Sequence, residues 1–410
     1  MFAGLEISLF VLIHRQMMHS LLAADAPEKE LTRWFAWYQA AFLFGAAAGG
    51  WLFGWLGDRA GRTRAMALSV LCYSLFTFAC YEADTPQQMI VLRFAACLGI
   101  GGVWPNAVVL VGEAWPAASR PFLAGLLGAA ANVGFVLLAA LGLLWDITDT
   151  NWRWTLLVGA SPCALGIFIL LVVPESARWL VARSAPAAEK SPLGEVFRPP
   201  LLYRTLLGIG LGAIPVIGTA ANGNWLTPWA DHAASQSATN APPAASAGAA
   251  PTSKDPKAKE KTQIARSGGG ILGSFLGGIV ASLLGRRVTY FLISLGALTV
   301  SSYIFTQLDP LDPRFPFFTF LLGFIGVTFF GWLPLFLPEL FPTRVRSTGS
   351  GISFNTGRVL AGVVVLSAGL LIDQFQGDYA RVGFWSGMIY AMGMAIIWLA
   401  PRRESSKLED

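Results

Sequence analysis

Apolar stretches of about 20 residues, enough to cross ~30 Å of hydrocarbon as a helix, recur along this chain from end to end. They fall near 1–22, 34–56, 65–82, 89–112, 121–145 and 154–174, then near 201–222, 267–285, 288–306, 317–338, 352–372 and 382–400. Of the 410 residues, 54% are hydrophobic and 13% charged, against roughly 25% charged in soluble domains. Such a chain lacks the polar surface to coat a water-soluble body. In lipid each segment must pair its own backbone groups, which a helix does. The expectation is an all-α membrane protein with twelve transmembrane helices.

The polar stretch "ESARWLVARSAPAAEKSPLGEVFRPP" at 175–200 divides the spans six and six. The expected organisation is a six-helix half over 1–174, a cytoplasmic linker over 175–200, a second six-helix half over 201–400 and a cytoplasmic tail over 401–410. Within the second half, 231–262 is low in complexity and rich in Ala, Pro and Ser, and is expected to be a flexible external loop. The first apolar run is short and no basic region precedes it, so the sequence is expected to begin inside a truncated first helix. Lys and Arg of short loops and termini divide sixteen to six in favour of one side. By the positive-inside rule both termini face the cytoplasm of a multi-pass protein of the cell (inner or plasma) membrane.

The two halves repeat each other. "EAWPAASR" at 113–120 returns as "ELFPTRVR" at 339–346, which pairs Glu113 with Glu339 and Arg120 with Arg346 at an offset of 226. "GWLGDRAGR" at 54–62 returns as "GIVASLLGR" at 278–286, at an offset of 224. Pseudo-symmetric parallel halves are a transporter architecture in which solute sits between them near the midplane.

Other classes fit poorly. The basic residues form no stripe for nucleic acid despite a net charge of +5. Cys72, Cys80, Cys97 and Cys163 lie in apolar runs without disulfide or zinc spacing. The glycine runs "GAAAGG" (45–50) and "SGGGILGSFLGG" (267–278) lack the Lys-Ser/Thr of a phosphate loop and suit close helix packing. No paired acids, metal spacing or nucleophile motif points to an enzyme, and no cofactor or metal is expected.

Against this background "GWLGDRAGR" resembles the loop signature of the major facilitator superfamily. "RFAACLGIGGVWPNAVVLVGEAWPAASR" is similar to its fourth-span motif, and "PESARWL" to the phrase that closes its sixth span. "PELFPTRVRSTGSGISFNTGR" resembles the tenth-to-eleventh loop of proton-coupled organic acid carriers, the sialate and lactate symporter group. The sequence departs from that group at Val103, where Glu is common, and at "ANGNWLTPW" in the seventh span. The resemblance implies secondary transport of a small organic solute, an organic anion with proton symport, by a functional monomer in the lipid bilayer. Transport of a neutral sugar or cation, and a membrane sensor without transport, are the alternatives. The resemblance also implies that Asp58 abuts the start of the eleventh span, where free backbone N–H groups favour an anion.

Acids recur beside the bases at the expected cytoplasmic face, as a gate of breakable ion pairs requires. The candidates are Asp58, Arg59, Arg62, Glu113, Arg120, Glu175 and Arg178 in the first half, and Arg286, Arg287, Glu339, Arg344 and Arg346 in the second. Solvated loop charges are the other reading. Ionisable groups inside spans are costly and mark function. Glu6 is the proton-carrying candidate unless it lies near the membrane surface. Arg93 and Arg358 are candidate carboxylate clamps; Arg358 shares a helix face with Asn355 and could instead belong to the gate. Gln39, Asn106, Asn132, Asn222, Asn224, Trp225 and Asn355 are candidates for the cavity wall, with interhelical bonding as the other use of membrane Asn.

Overall fold

The computed structural model describes residues 1–22, 26–114, 120–176, 179–180, 193–239, 257–342, 345–374 and 378–401. Asp58, Glu113, Arg120 and Arg346 are described as helical backbone alone, and Arg178 and Arg344 lie outside the described residues. The chain is all-helical: α1 (Phe2–Leu21), α2 (Glu28–Ala60), α3 (Arg62–Ala79), α4 (Pro86–Ala114), α5 (Arg120–Leu144), α6 (Trp154–Ala160) and α7 (Cys163–Val172) form the first half. The second half holds α8 (Leu201–Ile217), α9 (Leu226–Thr239), α10 (Ala258–Leu283), α11 (Arg286–Gln307), α12 (Phe315–Glu339), α13 (Arg346–Gln374), α14 (Tyr379–Gly387) and α15 (Ile389–Ile396).

Among the described residues, 11 helical stretches are long and apolar enough to cross a membrane. α1 is less apolar than these because "HRQ" interrupts it at 14–16, yet its 20 residues span about 30 Å. Its Glu6, His14 and Arg15 are all buried against neighbouring helices. The sixth span is two helices because Pro162 lacks the N–H that would carry α6 into α7. The seventh is interrupted between α8 and α9 by a π turn at Gly218–Asn222 and a 3-10 turn at Gly223–Trp225. There the Tyr390 hydroxyl comes to 2.4 Å of where a Cβ on Gly218 would stand, so only glycine fits.

Two boundaries differ from expectation. Helix continues through 231–239 and resumes at Ala258, so the expected loop at 231–262 is helical at both ends, while 240–256 lies outside the described residues. The physical reason is burial: Asp231 and His232 are held by the first half, and Lys259 and Glu260 are 3% and 1% exposed. Of the expected linker, the described part includes a 3-10 turn at Leu193–Phe197, whose Val196 carbonyl accepts from Thr205.

Each half is sewn by the same glycine seam. A Cβ on Gly45 or Gly49 of α2 would stand 2.6 or 1.9 Å from the carbonyl oxygens of Phe94 and Leu98 on α4. On Gly269 or Gly273 of α10 it would stand 2.0 or 1.9 Å from those of Phe320 and Phe324 on α12. The glycines are 224 apart and their carbonyl partners 226 apart, the offsets of the sequence repeat. Gly61 and Gly285, also 224 apart, precede α3 and α11 with φ of 111° and 82°, a left-handed backbone that glycine adopts without strain. The halves meet chiefly where α5 packs on α10 and α2 on α13.

Candidate functional site

Glu6 lies among α1, α3 and α4. It is fully buried, ion-paired with Arg93 from α4, and accepts a hydrogen bond from Thr77 of α3 at 3.3 Å. The Arg93 guanidinium lies 4.1 Å from the ring centroid of Phe10 and 5.7 Å from that of Phe42. Arg93 is thus enclosed within the first half as the counter-ion of Glu6. One Glu6 oxygen, Oε2, is buried without a hydrogen-bond partner.

Several polar candidates lie between the halves. Asn224 donates to Gln39 across them at 3.3 Å, and Trp225 packs edge-on to Phe35 of α2 at 4.8 Å between centroids. Asn132 of α5 hydrogen-bonds Gly128 in its own helix and crowds Gly270 of α10. Arg358 of α13 donates to the Ala46 carbonyl of α2 and to Asn355, each at 3.3 Å, and its guanidinium lies 4.6 Å from the Phe354 ring centroid. Asn355 in turn crowds Gly50 of α2. Two further candidates bond within one half. Asn106 bonds the Phe53 and Gly102 carbonyls, joining α2 to α4. Asn222 donates to Gly383 and accepts from Ser301, both in the second half.

At the expected cytoplasmic end the described hydrogen bonds and ion pairs of the charged candidates join residues of one half. Glu175 accepts from the Thr63 amide at 3.0 Å, an anion set on the N-terminus of α3. Gly61 approaches this carboxylate so closely that a Cβ would meet it at 2.0 Å. Arg286 forks onto Glu339 through Nε at 3.3 Å and Nη2 at 3.0 Å, while the indole of Trp332 donates to the Arg286 carbonyl. Arg59 is exposed, its guanidinium 4.6 Å from the Trp55 ring, and Arg287 is half-buried. Arg62 has a buried Nε.

The opposite end carries a polar cluster that joins the halves and that sequence reasoning missed. Arg15 of α1 pairs with Glu28 of α2 at 2.5 Å and with Asp231 of α9 at 3.3 Å. Glu28 accepts from the Tyr379 hydroxyl at 2.6 Å and lies 3.2 Å from Nδ1 of His232. That nitrogen is also 3.2 Å from Arg15 Nη1, so its tautomer decides which of the two it serves. Lys257 reaches Asp146 at 2.5 Å and holds that carboxyl below its ordinary range.

Deeper in the second half lies Arg266 of α10, also unforeseen. It is 6% exposed, and its Nε and Nη2 are buried with no hydrogen-bond partner. Its polar neighbours satisfy one another: Thr227 donates to Gln263, and Gln263 to Ser267.

Two six-helix halves with a polar interior seam, joined at one end by ion pairs, have the plan of a membrane carrier. The comparisons agree. Residues 6–193 match the family described as "Sugar (and other) transporter". A probable 4-methylmuconolactone transporter from Cupriavidus pinatubonensis is 29% identical over 89% of this chain and 81% of its own. A cis,cis-muconate transport protein from Acinetobacter baylyi is 28% identical over 83% of this chain and 78% of its own. In fold, a partially occluded, inward-open structure of a xylose transporter from E. coli superposes with a TM-score of 0.72 at 15% identity, covering 99% of this chain and 97% of the other. The chain is a transporter of small organic solutes with the fold of that solved transporter.

Proposed function

We propose that the protein carries small organic anions, acids with an unsaturated or aromatic body, by alternating access coupled to proton symport. It would act as a monomer in the inner (plasma) membrane with both termini cytoplasmic. The observation that carries this reading is the excess of positive charge in the spans. Arg93 is neutralised by Glu6, whereas Arg266 and Arg358 have no described carboxylate partner. A buried charge is costly unless paired, and an anionic solute supplies the missing partner. The names of the two relatives, carriers of muconate and of a muconolactone, favour the same chemistry.

Glu6 is the proton site in this reading. Protonation would remove its pairing with Arg93 and free the guanidinium, so proton occupancy and packing of the first half change together. With this orientation the Arg15 cluster is the external gate, and the molecule is in its inward-facing state. Proteoliposomes under an imposed pH gradient test the proposal, with benzoate, cis,cis-muconate, lactate, sialate and xylose as solutes. Gradient-stimulated uptake of at least one acid is expected, and uptake of xylose alone refutes the reading. Glu6→Gln should abolish stimulation by the gradient while leaving acid exchange measurable; stimulation that persists removes Glu6 as the proton carrier.

A further inference from the structure

We propose that Arg266 is the receptor for the substrate's carboxylate, with the Tyr390 hydroxyl at the same helix break and the Tyr390–Phe329 ring pair receiving the unsaturated body. This rests on the reading that the protein carries organic anions, and assigns the residues that recognise them.

Three observations converge. First, Arg266 is nine-tenths buried without a partner for Nε or Nη2. A position serving packing alone has no use for a guanidinium there, since an uncompensated charge in the bilayer interior is strongly unfavourable. It sits eight residues into α10, about 12 Å along the helix from its start.

Second, the backbone around it is shaped to leave room. Gly323 of α12 lies against the Arg266 backbone, which fixes the root of the side chain. At its tip, Nη1 stands 3.3 Å from where a Cβ on Gly223 would be. Gly223 opens the 3-10 turn that follows the π turn of the seventh span. Helix interruptions of this kind at bilayer depth are tolerated where they line a cavity or are buried in protein, and π turns concentrate at functional sites.

Third, the same break carries an aromatic alcohol. Tyr390 is 3% exposed and packs its hydroxyl against Gly218 in the π turn, five residues before the Gly223 that Arg266 Nη1 faces. Its hydroxyl has no described hydrogen-bond partner, and its ring stacks nearly parallel to Phe329, 6.4 Å between centroids and 5° between planes. A planar cation, a phenol and stacked rings at one helix break match a carboxylate joined to a flat unsaturated body. Guanidinium and carboxylate meet bidentately, which lysine does not reproduce.

The test is equilibrium binding to the purified full-length protein in detergent, with benzoate and its neutral isostere benzamide as probes and cis,cis-muconate as a second acid. Wild type is expected to prefer benzoate to benzamide by about 10- to 100-fold, the scale of hydrogen bonds to a charged group. Arg266→Gln should bring benzoate down to the benzamide level and leave benzamide unchanged, with Arg266→Lys between. Tyr390→Phe should weaken benzoate by about 3- to 10-fold. Wild type that binds neither acid refutes organic-anion transport, and this assignment with it. Wild type that prefers benzoate, with the preference intact in Arg266→Gln, overturns this assignment alone. Should Arg266→Gln not yield folded protein, an unchanged preference in both Arg266→Lys and Tyr390→Phe overturns it.

Discussion

Arg93, Arg266 and Arg358 all lie within spans, and their partners separate them more sharply than their positions do. Arg93 is balanced by a carboxylate, Arg358 by neutral acceptors and a ring face, Arg266 by no described partner. Removing each should therefore affect the empty protein differently. Arg93→Gln strands the buried Glu6 charge and is expected to cost about 3–5 kcal/mol. Arg266→Gln removes a charge that is itself unfavourable, so the ligand-free variant should unfold at or above the wild-type temperature, the trade of stability for function common at binding sites. Thermal unfolding in detergent checks both, and a lower unfolding temperature for Arg266→Gln than for Arg93→Gln would contradict the argument. The sequence made Glu6 and Arg93 visible because each is a lone charge inside an apolar run. It hid Arg266 because "KEKTQIARSGGG" is polar enough to look like the edge of a loop. Only the buried fit of α10 against α5 and α12 brings that polar turn inside.

Among helices, the seams on α2–α4 and α10–α12 bring backbone against backbone, and glycine is what allows it. Gly273→Ala would set a methyl 1.9 Å from the Phe324 carbonyl oxygen. Overpacking of that kind costs about 1–3 kcal/mol, so the variant should unfold at lower temperature than Gly351→Ala, where a Cβ meets nothing within 4 Å. Equal unfolding temperatures would show that the seam is not tight. Small-residue packing was legible in the glycine runs, and the offsets of the repeat reappear in which carbonyl each glycine meets. The interruption between α8 and α9 was only hinted at by Gly223 and Pro228. Its placement depends on Tyr390, some 170 residues away in sequence, which no local pattern reveals.

At the scale of the molecule, one end is closed by contacts that cross the halves, centred on Glu28, which faces Arg15, His232 and Tyr379. Glu28→Gln keeps the shape but removes the charge that holds them. Spin labels at the exposed positions Arg33 and Arg381, with the four native cysteines replaced by alanine, would report the separation of the halves at that end. The variant should move the distance distribution toward longer values; an unchanged distribution would mean that the cluster does not hold this end shut. The two-fold plan was readable from the paired Glu-Pro-Arg phrases. The closing cluster was not, because its members come from α1, α2, α9 and the start of α14, and each alone looks like an ordinary loop charge.

The glycine seams carry a mechanical consequence. Within a half, helices touch through main-chain atoms that have no rotamers to yield, which makes each half stiff. Between the halves much of the contact passes through side chains that can pivot and exchange partners, which makes that joint compliant. Thermal agitation would then be concentrated in a single rocking coordinate, and the molecule would behave as two levers on a soft bearing rather than as an evenly elastic bundle.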